Sequence, residues 1–96
     1  MSTNQIVIHV EIRAAKGTRI NDLVLAAETA TMQDVIVAMP RKKWAKDLFK
    51  IIEGRSALIP GFMMVLDNRM VQKWELENTQ VNADAHLKFV QVVPGG

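Results

Sequence analysis

The chain contains no cysteine. That excludes disulfide cross-links, a thiolate nucleophile and any zinc or iron–sulfur site built on thiolates. It also suits a cytoplasmic protein, which is the expected location. Histidine occurs only as His9 and His86. Two imidazoles do not make a catalytic zinc site unless a carboxylate joins them, so no metal is expected. No Ser-His-Asp set, HExxH pair, P-loop or GxGxxG turn is present, and an enzyme is not expected. No apolar run approaches the ~20 residues of a membrane span, so no membrane partner is expected. The opening Met1-Ser2-Thr3-Asn4 has neither the basic flank nor the apolar stretch of a signal peptide.

What remains is a 96-residue chain that is 49% hydrophobic, enough to bury a core in one domain without covalent staples. The net charge is +2 but uneven. Residues 41–55 hold Arg41, Lys42, Lys43, Lys46, Lys50 and Arg55 against Asp47 and Glu53, a local charge of +4. This basic face reads as solvated, or as steering toward an acidic partner. Nucleic acid is not expected. The nearby aromatics, Trp44 and Phe49, fall on the apolar stripe and leave no stacking platform.

Gln5 to Arg13 alternates, with Ile6, Ile8, Val10 and Ile12 on one face, and predicts a half-buried strand. Ala14 to Thr18 is a turn, and a second strand over residues 19–27 completes a hairpin. Thr31 and Asp34 are placed as a capping box opening a helix, with Val35, Ile36 and Met39 as its stripe and Pro40 as its stop. Trp44, Ala45, Leu48, Phe49 and Ile52 at helical spacing predict a second helical segment over 41–53, with Gly54 as its C-cap. Residues 62–66, then 70–74 across a turn at Asp67-Asn68-Arg69, read as short strands. His86 to Val93 is the last. Met63, Met70, Trp44 and Trp74 are expected to fill the core. The two histidines are expected on neighbouring strands, facing solvent.

This order can place the last strand beside and parallel to the first by a right-handed crossover. The expected architecture is α+β: a β-grasp (ubiquitin-like) mixed sheet on one main helix plus the second, shorter helical segment. Residues 1–93 form its single domain and 94–96 a flexible tail.

The chain closes on Pro94-Gly95-Gly96. With glycine at ~7% of residues, Gly-Gly arises there by chance at roughly the half-per-cent level. A thin tail without Cβ atoms can thread a narrow channel. Its carboxylate becomes electrophilic once joined to AMP, and a sulfur nucleophile can then attack it. The segment Leu58-Ile59-Pro60-Gly61-Phe62-Met63-Met64-Val65-Leu66-Asp67-Asn68-Arg69 resembles the loop, strand and turn of the molybdopterin-synthase small subunits and ubiquitin-related modifiers. The segment from Asp84 to Gly96 resembles their closing strand and di-glycine tail. Ubiquitin also aligns without gaps over roughly the last third, including Leu76, Val81, Leu87 and Phe89. Asp84-Ala85 stands where family members often carry Gly-Asp, and Gln91-Val92 where many bacterial members carry Pro-Pro.

The resemblance implies a sulfur carrier, a protein co-substrate that binds no cofactor. An ATP-dependent activating enzyme would adenylate Gly96, with Gly95, Pro94 and Val93 entering its channel. The resulting thiocarboxylate would deliver sulfur to a synthase subunit, for molybdopterin first, thiolated tRNA or thiamin next. On the same resemblance Met64, Lys88 and Val90 form the sheet face on which partners dock. Two alternatives stand beside it: a modifier joined through Gly96 to lysines of target proteins, and a β-grasp interaction module whose di-glycine is incidental.

Overall fold

The computed structural model describes residues 4–92. The expected tail residues Val93, Pro94, Gly95 and Gly96 lie outside that range. Strand β1 (Ile6–Ala14) buries Ile6, Ile8, Val10 and Ile12, as its alternation requires. A two-residue turn leads to β2 (Gly17–Leu25), antiparallel to β1 with Ile6 opposite Leu25 and Ala14 opposite Gly17. A two-residue strand, β3 (Ala30–Thr31), leads into helix α1 (Met32–Ala38). Thr31 caps the helix reciprocally: its Oγ1 accepts from the Asp34 amide at 3.3 Å, and its own amide donates to the Asp34 carboxylate at 2.8 Å. Asp therefore fills the place Glu or Gln usually takes in a capping box. The α-helix passes into a 3₁₀ turn at Met39–Arg41, where Pro40 lacks the amide that would continue it.

The expected second helical segment over residues 41–53 is not what forms. A 3₁₀ stretch covers Lys43–Leu48. Strands β4 (Phe49–Ile52) and β5 (Arg55–Leu58) then make a separate hairpin. Two local preferences explain the difference. Three residues per turn keep Ala45 and Leu48 on one side, so the 3₁₀ stretch buries both without an α-helix. The aromatic and β-branched residues Phe49, Ile51 and Ile52 favour a strand. Gly54 is no helix cap. Glu53 and Gly54, at φ 51° and 79°, are the two central residues of a type I′-like turn that matches the twist of paired strands.

Strands β6 (Phe62–Leu66) and β7 (Arg69–Val71) are joined across Asp67-Asn68, also at positive φ, 47° and 69°. Asp and Asn tolerate that region best after glycine. After a 3₁₀ turn at Lys73–Glu75, β8 (Gln80–Val81) pairs with β3, and β9 (His86–Gln91) closes the fold. The main sheet is mixed, in the order β2-β1-β9-β6-β7. β9 runs parallel to β1, with Val10 opposite Leu87 and Ile12 opposite Phe89, and antiparallel to β6. The described residues share one core, in which side chains of β1, β9 and β6 meet Met32, Val35 and Met39 from the helical side.

Of the four expected core fillers, Met63 and Trp44 are half-buried, whereas Met70 and Trp74 are 49% and 79% exposed. Met70 stands opposite Val65 on the face of the sheet turned away from α1. Trp74 sits between Lys73 and Glu75 on a short 3₁₀ turn with no buried residue.

Truncating the centre of this core and removing the cap should give well-separated effects. Phe89→Ala is expected to cost about 3–5 kcal/mol, since the side chain is wholly buried. Thr31→Ala is expected to cost about 1 kcal/mol through the lost cap. Urea unfolding of both variants against the parent chain measures the two values.

Candidate functional site: the outer face of the sheet

The sheet has one face against the core and one turned outward. Alternation along β9 sends Leu87 and Phe89 inward and His86, Lys88 and Val90 outward. Lys88 and Val90 therefore lie on the outward face expected of them. Met64 does not. It is 3% exposed, opposite Phe89 on one neighbour and Val71 on the other, and belongs to the core. Its sequence neighbours take the outward places instead: Met63 opposite Val90, and Val65 opposite Lys88. A one-residue displacement along a strand exchanges faces.

Across the whole sheet, the outer face carries Ile20 and Val24 from β2, Val65 and Met63 from β6, and Met70 from β7. Ile20 is 69% and Val24 47% exposed. Between them lie charged side chains of the two central strands: Glu11 opposite Lys88, and Arg13 opposite Val90. The result is an apolar surface crossed by a charged stripe. Sequence reasoning missed the contributions of Ile20 and Val24. The signal was the pair Ile20 and Val24, four residues apart on the side of β2 opposite Leu23, with Asp22 between them.

At one end of the stripe the parallel register sets His9 beside His86, with ring centroids 5.1 Å apart and planes tilted by 33°. His9 Nδ1 lies 2.8 Å from Asp22 Oδ1 on β2, and its Nε2 lies 3.4 Å from Asp84 Oδ1. Asp84, at φ 63°, is fixed by its amide, which donates to the Val7 carbonyl. The His86 amide donates to the Asp67 carboxylate at 2.8 Å, tying β9 to the β6–β7 turn. The hydrogen bond to Asp22 raises the His9 pKa above its ordinary value. Desolvation opposes it, and the charges of Asp22 and Asp84 and a hydrogen bond to Asp84 add to it. Among the described residues no group of three or more His, Asp or Glu side chains is placed to hold a metal ion. None of their helices is long and apolar enough to cross a membrane.

No protein-family model matches the chain, and no curated protein matches it.

The contacts of His9 with Asp22 and Asp84 predict a pH-dependent contribution to stability whose sign follows from the direction of the shift. The folded-state pKa of His9 is raised, so its contribution is fully present below the unfolded value of about 6.5 and is lost as pH rises through the folded value. Asp22→Asn should lower the His9 pKa, read from imidazole NMR shifts across a pH titration. The same variant should lose more stability at pH 5 than at pH 8. An unchanged His9 titration in the variant would show that Asp22 does not hold the proton.

Proposed function

We propose that the protein is a sulfur carrier with the β-grasp, ubiquitin-like fold. In this reading Gly96 is the reacting residue, and Val93, Pro94 and Gly95 enter the channel of an ATP-dependent activating enzyme. The observation that carries the proposal is the sheet order. The strand leading to Gly95-Gly96 is β9, in the centre of the sheet and parallel to β1. A helix capped by Thr31 lies in the crossover between the first hairpin and the later strands. The Pro60-Gly61 loop feeds β6, and the Asp67-Asn68 turn follows it, in the order the resemblance requires.

The chemistry runs in two steps. The Gly96 carboxylate attacks the α-phosphorus of ATP and pyrophosphate leaves, giving an acyl adenylate. A sulfur nucleophile then adds to the acyl carbon and AMP leaves. A hydrosulfide donor yields the thiocarboxylate at once. A persulfide donor yields an acyl disulfide, which a thiol reduces. The chain is then a co-substrate rather than an enzyme, acting in the cytoplasm, with ATP bound by its partner. The acceptor is a synthase subunit, first of all one that inserts sulfur into molybdopterin. Docking falls to the outer face of the sheet around Lys88 and Val90, with Val65 and Met63 in the place first assigned to Met64.

Intact-mass measurement of the natural protein should find Gly96 at its end. Incubation with the activating enzyme, ATP and hydrosulfide should add the mass difference between sulfur and oxygen. Deleting Gly96 should abolish that gain and leave thermal unfolding unchanged, since misplacing a reacting carbon by 1 Å already costs about 100-fold. A Gly-Gly remnant on lysines of other proteins would favour the modifier reading instead. Neither product, together with normal behaviour of the deletion in the cell, would leave only an interaction module.

The docking face has its own test. Val90→Arg should leave folding intact and weaken binding to the activating enzyme at least about tenfold, by placing an unpaired charge against an apolar contact. Calorimetry with the parent and variant chains reads this directly. Equal affinities would remove Val90 from the docking surface.

A further inference from the structure

The hairpin of β4 and β5 stands outside the main sheet and outside the tail chemistry. Its base is anchored: Phe49 and Leu58, opposite one another, pack against the core. The Ile59 amide donates to the Leu48 carbonyl at 2.8 Å and closes the strand pair at that end. Beyond the base the hairpin has no such support. Ile51 is 71% and Ile52 47% exposed. As consecutive strand residues they project from opposite faces. Lys50 shares the face of Ile52, and Arg55 stands directly opposite Ile52.

The charge around these isoleucines is predominantly positive. Arg41, Lys42, Lys43 and Lys46 are exposed on the segment leading into the hairpin, and Lys50 and Arg55 on the hairpin itself. Among the described residues none of these six is in an ion pair. Of the two acidic residues in the segment, Asp47 is held by Arg19, with contacts of 2.8 and 3.0 Å. Only Glu53, in the turn, remains to offset the cations.

We infer that the β4–β5 hairpin is a docking finger that inserts into an acidic-walled, apolar-floored cleft of a protein partner. The occupant follows from geometry and charge. A flat surface touches one face of a hairpin, whereas burying Ile51 and Ile52 together needs a cleft that encloses both. Insertion of the tip into an anionic bilayer would carry the Glu53 carboxylate into the hydrocarbon, which is costly. Nucleic acid would engage the cations but gives two isoleucines nothing to pack against, and Trp44 and Phe49 are turned to the core rather than offered to bases. The inference holds whether or not Gly96 is activated.

The test places p-benzoylphenylalanine at position 51 in one full-length variant and at position 52 in another, with photolysis in the host cell. Both positions should cross-link to the same protein, at peptides that line one cleft rich in Asp and Glu. Lys50→Glu with Arg55→Glu should lower the yield at both positions about tenfold or more, because it sets like charges together. Thermal unfolding of that double variant should match the parent, since both side chains are exposed. Cross-links from one position only, different proteins at the two positions, adducts to lipid or nucleic acid, indifference to charge reversal, or no adduct at either position would each overturn the finger.

Discussion

The parallel pairing of β1 with β9 is the constraint on which the rest of this structure depends. A parallel pair cannot be made with a hairpin; the chain must leave the sheet and return. Everything between residues 25 and 86 is therefore connection as well as structure. The register sets Val10 against Leu87 and Ile12 against Phe89, and all four side chains are wholly buried. At about 1.5–3 kcal/mol for each fully buried large apolar side chain, these central contacts rival the net stability of a domain this size before entropy is counted. The helix and its 3₁₀ continuation then cover what the strands leave open, through Met32, Val35 and Met39.

The same register decides the chemistry of the outward face. Because Val10 meets Leu87 in the core, His9 must meet His86 outside it and Glu11 must meet Lys88. The outward residues of β1 and β9 are thus positioned by the core itself. The His9–Asp22 contact arises from the β1–β2 register in the same way. A shift of one residue at either seam would bury the charged stripe and expose the core, so the makeup of the outward face is protected by the core's own stability.

Strong alternation made the centre of the sheet legible in the sequence. Ile6, Ile8, Val10, Leu87 and Phe89 carry a period of two that no helix satisfies, and Val35 follows a capping pair with a fixed offset. Legibility failed where two periods coincide. Phe62 to Leu66 is apolar at every position, so alternation could not say whether Met63 or Met64 faced inward, and only pairing with Phe89 settles it. Trp74 was misplaced because residue type alone suggested burial, although its flanking Lys73 and Glu75 signalled an exposed turn. In the segment 41–55, helical spacing at Trp44, Ala45 and Leu48 was real over two turns of 3₁₀ helix. It was then extended across a strand whose aromatic and β-branched residues spoke against it.

That segment also shows why charge alone is a weak guide to function. Exposed strand edges invite pairing with other chains, and lysine or arginine on such edges is a common defence. Lys50 and Arg55 can be read entirely in those terms. The isoleucines cannot. A hairpin selected only to stay apart from other proteins gains nothing from Ile51 or Ile52 in solvent, where each invites the association the cations oppose. The two features agree only if the opposition is selective, with the cations repelling copies of the same basic hairpin while drawing in a surface of opposite sign. An apolar tip guarded by an excess of positive charge would therefore favour one class of partner and disfavour self-association in the same few residues. The core anchors at Ala45, Leu48, Phe49 and Leu58 fix the base of that hairpin, while Ile51 and Ile52 stay exposed beyond it.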